Sequence, residues 1–171
     1  MKPDRDKNMH FEFDSETGVI RDKVTGERCL IITQARVVEI CTRLSEIFQS
    51  GANLIIFEAG KAAGKRFADE AVDIRTGDQQ LFLKTISQRF TDAGLGKIEI
   101  VEFNPEKSEV TFRIWNNFFA ELKSEKVMYR SCIEGFVFGM YEQIIGKTPK
   151  IQKTKCVADG DAYCEWQMTL K

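Results

Sequence analysis

The sequence predicts an α+β domain, an antiparallel sheet covered by helices. Three observations point there. Apolar residues recur at helical spacing in four stretches beyond residue 34. Residues 96–118 and 149–170 each read as strand, turn, strand. The order strands, helices, hairpin, helix, hairpin lacks the regular βαβ alternation of a parallel sheet.

Residues 1–8 form a charged, polar lead-in, and a single domain is expected over 9–171. "HFEFDSETGVIRDKVTGERCLIIT" sets short apolar pieces between the turn signals "SETG" and "VTGE", so small strands are expected up to Thr33. In "QARVVEICTRLSEIFQSG" the residues Val37, Ile40, Cys41, Leu44, Ile47 and Phe48 make a helical stripe, and Gly51 closes it. "NLIIFEAG" reads as a short apolar strand leading into a helix over "KAAGKRFADEAVDI". A third helix, "DQQLFLKTISQRFTDAG", carries Phe82, Leu83, Ile86 and Phe90 on one side. "GKIEIVEF" and "EVTFRIWNNF" flank the turn "NPEKS". A last helix spans "EKVMYRSCIEGFVFGMYEQIIGK", with "SCIE" in the form of a capping box: Ser131 as N-cap and Glu134 reaching back. That places Cys132 in the first turn. Gly135 and Gly139 share one face, which points to close packing against a neighbour. The closing hairpin, "PKIQKTKCVADGDAYCEWQMTL", turns at Asp-Gly.

Composition excludes several functions. The chain has 171 residues and a formal net charge of −1, without the clustered Lys and Arg a nucleic-acid binder needs. No run approaches the ~20 apolar residues of a membrane span, and the charged start lacks the apolar core of a secretory signal. A cytoplasmic location is therefore expected, with the five cysteines reduced or bound to metal. There is no G-x-S-x-G, and "GKAAGKRF" lacks the spacing of a phosphate loop. No catalytic residue is assigned, and an enzyme is not the expected reading.

The cysteines carry the clearest chemistry. With the hairpin centred on Gly160, Cys156 and Cys164 fall opposite one another, with β-carbons about 5 Å apart. They could be two ligands of one ion, with Cys132 as a third from a helix N-terminus that favours thiolate. They could equally be reduced core thiols, since free cysteine is commonly buried. The only histidine, His10, lies beside the tail, which argues against a histidine-rich catalytic metal site. Trp115, Phe118, Phe119, Phe136, Met140 and Tyr141 are candidate pocket-lining residues, mainly apolar with polar tips on Trp115 and Tyr141. Phe112 is a further candidate and the weakest, because three residues from Trp115 it faces the other side of a regular strand.

"FEAGKAAGKRF" at Phe57–Phe67, "SCIEGFVFGMYEQIIGK" at Ser131–Lys147 and "TKCVADGDAYCEWQM" at Thr154–Met168 resemble the 4-vinyl reductase family domain, in order and spacing. The resemblance covers roughly residues 35–170. It implies a ligand-binding fold related to aromatic-hydrocarbon sensors, nitric-oxide signalling proteins and vesicle-tethering subunits. It further implies a pocket between helices and sheet for a small hydrophobic or aromatic ligand, a structural zinc site beside it, and a homodimer. Carried over residue by residue, the zinc ligands are Cys132, Cys156 and Cys164. The family's carboxylate ligand falls at Lys153, which cannot ligate while protonated; water, Asp161, Glu165 or Glu134 would have to replace it. The expected function is a stand-alone sensor or carrier domain that relays to a regulatory protein partner. The alternatives are an assembly module without ligand, or an accessory protein in tetrapyrrole synthesis of the bacteriochlorophyll type.

Overall fold

The structure is a computed structural model that describes residues 10–72, 79–104, 107, 109–118 and 128–170. The chain divides into two compact units, Met1–Thr33 and Gln34–Lys171. Within the first, β1 (Phe11–Asp14), β2 (Val19–Asp22) and β3 (Arg28–Cys29) form an antiparallel sheet in that order. The β1–β2 turn is held by Asp14, whose Oδ1 accepts the backbone N–H of Glu16 at 2.9 Å. This is the "SETG" signal of the sequence.

The second unit contains α1 (Gln34–Phe48), α2 (Ala52–Val72), α3 (Gln79–Asp92), β4 (Lys97–Asn104), β5 (Glu109–Trp115), α4 (Met128–Ile145), β6 (Pro149–Lys155) and β7 (Cys164–Leu170). Its sheet runs β4-β5-β7-β6, antiparallel throughout. The helices pack on one face. Along β5, Val110, Phe112 and Ile114 are buried beneath them, while Thr111, Arg113 and Trp115 alternate to the other face. Trp166 and Met168 of β7 pair with Phe112 and Val110 and extend the same buried layer. The α+β expectation and the antiparallel sheet therefore hold.

Two local expectations do not. "NLIIFEAG" is the beginning of α2, not a strand: the helix runs unbroken from Ala52 to Val72. Its buried residues Ala52, Ile56, Gly60, Gly64 and Ala68 recur every fourth position, and the stripe lies against neighbouring helices. Ser131 is not an N-cap either. Helix α4 starts at Met128, so Ser131 closes its first turn and Cys132 lies beyond it.

The stripe on α2 explains the tightest packing in the unit. Gly60 and Gly64 face α4, and Gly135 and Gly139 of α4 face α2. A methyl group at Gly64 would overlap the carbonyl oxygen of Phe136, and one at Gly139 would overlap that of Lys61. The two backbones approach more closely than any side chain would allow. On α1, by contrast, Cys41 is buried with Val37 and Leu44 beside it, but Ile40, Ile47 and Phe48 are exposed. The apolar stripe of α1 is wider than the surface that covers it.

Candidate functional site: an apolar cavity and a cysteine hairpin

Between the sheet and the helices a cavity of about 40 Å³ remains. Leu83 and Ile86 reach it from α3, Ile98, Ile100 and Phe103 from β4, and Val110 and Phe112 from β5. Met140, Tyr141, Ile144 and Ile145 close it from α4. Ser87 lies at its margin, and its hydroxyl donates to the Leu83 carbonyl at 2.9 Å. Burial and the nearby Glu109 carboxylate push the Tyr141 phenol up from its ordinary value, so this hydroxyl stays protonated near neutrality.

Met140 and Tyr141, read from the sequence as pocket candidates, both lie in this wall. Trp115, Phe118 and Phe136 stand elsewhere. Trp115 is on the opposite face of the sheet, its Nε1 donating to Glu99 Oε2 at 2.8 Å and its ring against Tyr163 at 4.6 Å. Phe136 joins an aromatic cluster with Phe67 and Phe90, at centroid distances of 5.4 and 5.8 Å. Phe118 is half-buried, and its carbonyl accepts Gln34 Nε2 at 2.7 Å. Phe119 lies outside the described residues. Phe112, the weakest candidate in the sequence, is buried at the cavity.

In the hairpin, Cys156 and Cys164 are opposed as the sequence predicts, with sulfurs 3.8 Å apart. Cys164 Sγ also accepts the Val157 backbone N–H at 3.5 Å and Asn117 Nδ2 at 3.6 Å. Its partnership with Cys156, followed by burial, raises the Cys164 thiol far above its ordinary value. The turn itself is a single 3-10 turn over Val157–Asp159 closed by Gly160 at φ 102°, a left-handed conformation that favours glycine. Asp161 Oδ2 accepts the Cys156 backbone N–H at 2.8 Å and fixes that turn.

A sulfur separation of 3.8 Å is what two Zn–S bonds of about 2.3 Å span at a tetrahedral angle. The remaining donors are not gathered there. Cys132 packs with Cys41, Ala52 and Ile56 in a separate cluster, where burial first and Cys41 second push its thiol up to about 11. Lys153 reaches Asp159 at 3.3 Å. Glu165 is held by Arg113 at 2.6 Å and Thr154 at 2.8 Å. Burial alone would raise the Glu165 carboxyl, but those two bonds and the Arg113 charge outweigh it and hold it below the usual range. Among the described residues no group of three or more His, Cys, Asp or Glu side chains could hold a metal ion. The residues fit a zinc site in two donors only, and a closed structural site takes four.

No protein-family model and no curated protein matches the chain. Solved structures do. The phenol-responsive sensory domain of the transcription activator PoxR, crystallised with phenol, is similar at 17% identity and a TM-score of 0.78, over 94% of this chain and 85% of that one. A vinyl-4-reductase family protein from Methanocaldococcus jannaschii is similar at 18% identity and a TM-score of 0.58, over 84% of each chain. A trafficking protein particle complex subunit 3 from Naegleria fowleri, covalently bound to palmitic acid, is similar at 16% identity and a TM-score of 0.58, over 81% of this chain and 92% of that one. This chain has the fold that the phenol-sensing domain, the vinyl-4-reductase family protein and the trafficking subunit share.

Proposed function

We propose that this chain is a small-molecule sensor or carrier domain for a hydrophobic or aromatic ligand, which it holds in the cavity between α3, α4 and β4–β5. The observation that carries this reading is an apolar cavity at the helix–sheet boundary of a fold shared with a phenol-responsive domain. Apolar walls suit a ligand bound by burial, at about 25 cal/mol per Å² of apolar surface removed from water. Relay to a regulatory protein partner belongs to the same proposal, as does a homodimer. Ile40, Ile47 and Phe48 of α1 and Leu54 and Ile55 of α2 are exposed apolar side chains, and a second copy would cover them. No step of the proposal runs through zinc. Among the described residues no helix is long and apolar enough to cross a membrane.

The reading is tested by thermal unfolding with a panel of small apolar compounds at increasing concentration. A ligand that binds the folded state raises the midpoint as its concentration grows. If no compound of the panel shifts the midpoint, the reading fails. One observation favours a second reading, an assembly module with a solid core: the cavity holds about 40 Å³, whereas an engineered cavity that binds benzene measures about 150 Å³. A stable heteromeric complex, with no response to any ligand, would establish that alternative. The dimer is checked separately: Ile47→Glu is expected to turn a sedimenting dimer into a monomer without loss of fold.

A further inference from the structure

The closing hairpin plays no part in the ligand reading, and its two cysteines form a cluster of their own. Cys156 follows β6 and Cys164 opens β7, so the hairpin register sets them opposite one another. Their sulfurs stand 3.8 Å apart, and both side chains are buried. The lone pairs of Cys164 Sγ receive two N–H donors, the Val157 backbone at 3.5 Å and Asn117 Nδ2 at 3.6 Å. Its own proton points at Cys156. Asn117 is 1% exposed, so packing fixes this donor in place. Over the pair, residues 159–162 of the turn are exposed.

We infer that Cys156 and Cys164 are an oxidative modification site, which a small-molecule disulfide converts to an intrachain Cys156–Cys164 disulfide. A metal ion finds two donors here, whereas each thiol finds in the other a complete partner. To bond, the sulfurs close from 3.8 Å to about 2.05 Å, by side-chain rotation beside the irregular register at Lys153 and Lys155.

The donors set the order of events. Cys156 accepts the Cys164 proton, which favours thiolate on Cys156. This sulfur attacks one sulfur of the small disulfide, whose S–S bond breaks, and one thiol leaves. Cys164 then gives its proton to solvent. The Val157 N–H and Asn117 hold the resulting thiolate, which attacks Cys156 Sγ and expels the second thiol. The two cysteines lose two electrons and two protons, and the reagent gains them as two thiols. Opening of the exposed turn admits the reagent, since loop tips open at low cost.

The experiment incubates the full chain, as purified, with glutathione disulfide, blocks the remaining thiols by alkylation and digests with trypsin. The tryptic peptide 156–171 carries both cysteines and no other. It is expected to be unalkylated and lighter by about 2 Da, and dithiothreitol should restore both thiols. In Cys164→Ser the mixed disulfide with glutathione is expected to accumulate on Cys156, while in Cys156→Ser the Cys164 thiol stays open to alkylation. Wild type decides the matter whatever the variants do to folding. A peptide that keeps two thiols, with or without metal bound, would overturn the inference. So would a bridge between Cys41 and Cys132 in its place. Neither result depends on whether an apolar compound binds, so the inference stands or falls apart from the sensor reading.

Discussion

Along one side, α4 meets α2 backbone to backbone through Gly135 and Gly139. Along the other, it rests on the sheet through Ile133, Val137, Met140 and Tyr141, with free space left beside the last two. At the glycines the first contact has no side chain that could move to admit anything, and beside them Phe57 and Phe138 pack edge to face at 5.7 Å. The second is built from side chains with several rotamers. The difference teaches where a ligand could be accommodated: adaptability has been kept to the sheet side, while the glycine crossing holds the frame.

The largest expected effect comes from spoiling the rigid side. In Gly64→Ala the new methyl meets the Phe136 carbonyl, which cannot rotate away, so α2 and α4 must separate. A loss of about 3 kcal/mol is expected from such overpacking, read from chemical denaturation. Gly51→Ala is the control, since nothing lies within 4 Å of a methyl there. A Gly64→Ala protein as stable as wild type would show that the crossing is looser than it is drawn.

The adaptable side should respond differently. Met140→Ala enlarges a space that already exists, and a loss of about 2 kcal/mol is expected, at the low end for a buried methionine. Stability and affinity then move in opposite directions: the variant should bind small apolar compounds of the thermal panel more tightly than wild type, because less repacking is needed. Calorimetry decides it. Equal losses of stability and affinity would mean that Met140 serves only as core.

How much of this was legible in the sequence differs between the two sides. The glycine pair four residues apart on α4, Gly135 and Gly139, announced close packing against a neighbour. The α2 half was missed because "LIIF" alone reads as strand or helix. What settles it is a longer period, Ala52, Ile56, Gly60, Gly64 and Ala68, every fourth residue small or apolar. On the sheet side, alternation along "VTFRIW" was read correctly but assigned to the wrong face. Trp115 attracted the pocket assignment because the polar end of its indole needs a partner, which it finds in Glu99 instead. Its face-mates Thr111 and Arg113 are polar, however, whereas Val110 and Ile114 share the face of Phe112 and mark that face as the buried one. The opposition of Cys156 and Cys164 followed from hairpin symmetry, which is local. The place of Cys132 depends on where a helix begins, and the "SCIE" signal is outweighed there by the helix continuing back to Met128.

A smaller effect is expected where the rigid crossing ends in charge. Glu142 of α4 accepts Lys65 at 2.6 Å and Lys61 at 3.2 Å, both from α2. The Lys65 bond, with further help from Thr148 and Lys61, overcomes burial and holds the Glu142 carboxyl below its ordinary value. A depressed carboxylate contributes stability that is present above its unfolded pKa, about 4.3, and is lost as pH falls through the folded value. Glu142→Gln should cost less than about 1 kcal/mol at neutral pH, because Lys65 is substantially exposed. The difference from wild type should vanish in acid. A difference that persists at low pH would assign the loss to packing.

The smallest change in stability, and the most informative about the hairpin, concerns Cys132. It stands near the start of α4, and its side decides between resemblance and structure. The resemblance to the 4-vinyl reductase family domain would turn it toward Cys156 and Cys164 as a zinc ligand. The structure packs it with Cys41 and Ala52, and raises its thiol to about 11. A zinc-bound cysteine is a thiolate well below neutrality and does not titrate in that range. Purified protein is therefore expected to hold much less than one zinc per chain. Cys132→Ser should leave the metal content unchanged and stability at neutral pH within about 1 kcal/mol. In wild type the raised thiol contributes stability below the unfolded value near 9, and this is lost as pH rises toward 11. Cys132→Ser should remove its share of that alkaline slope. One zinc per chain, lost together with Cys132 and with no alkaline slope to remove, would place the residue at the hairpin and make the start of α4 part of a metal clamp.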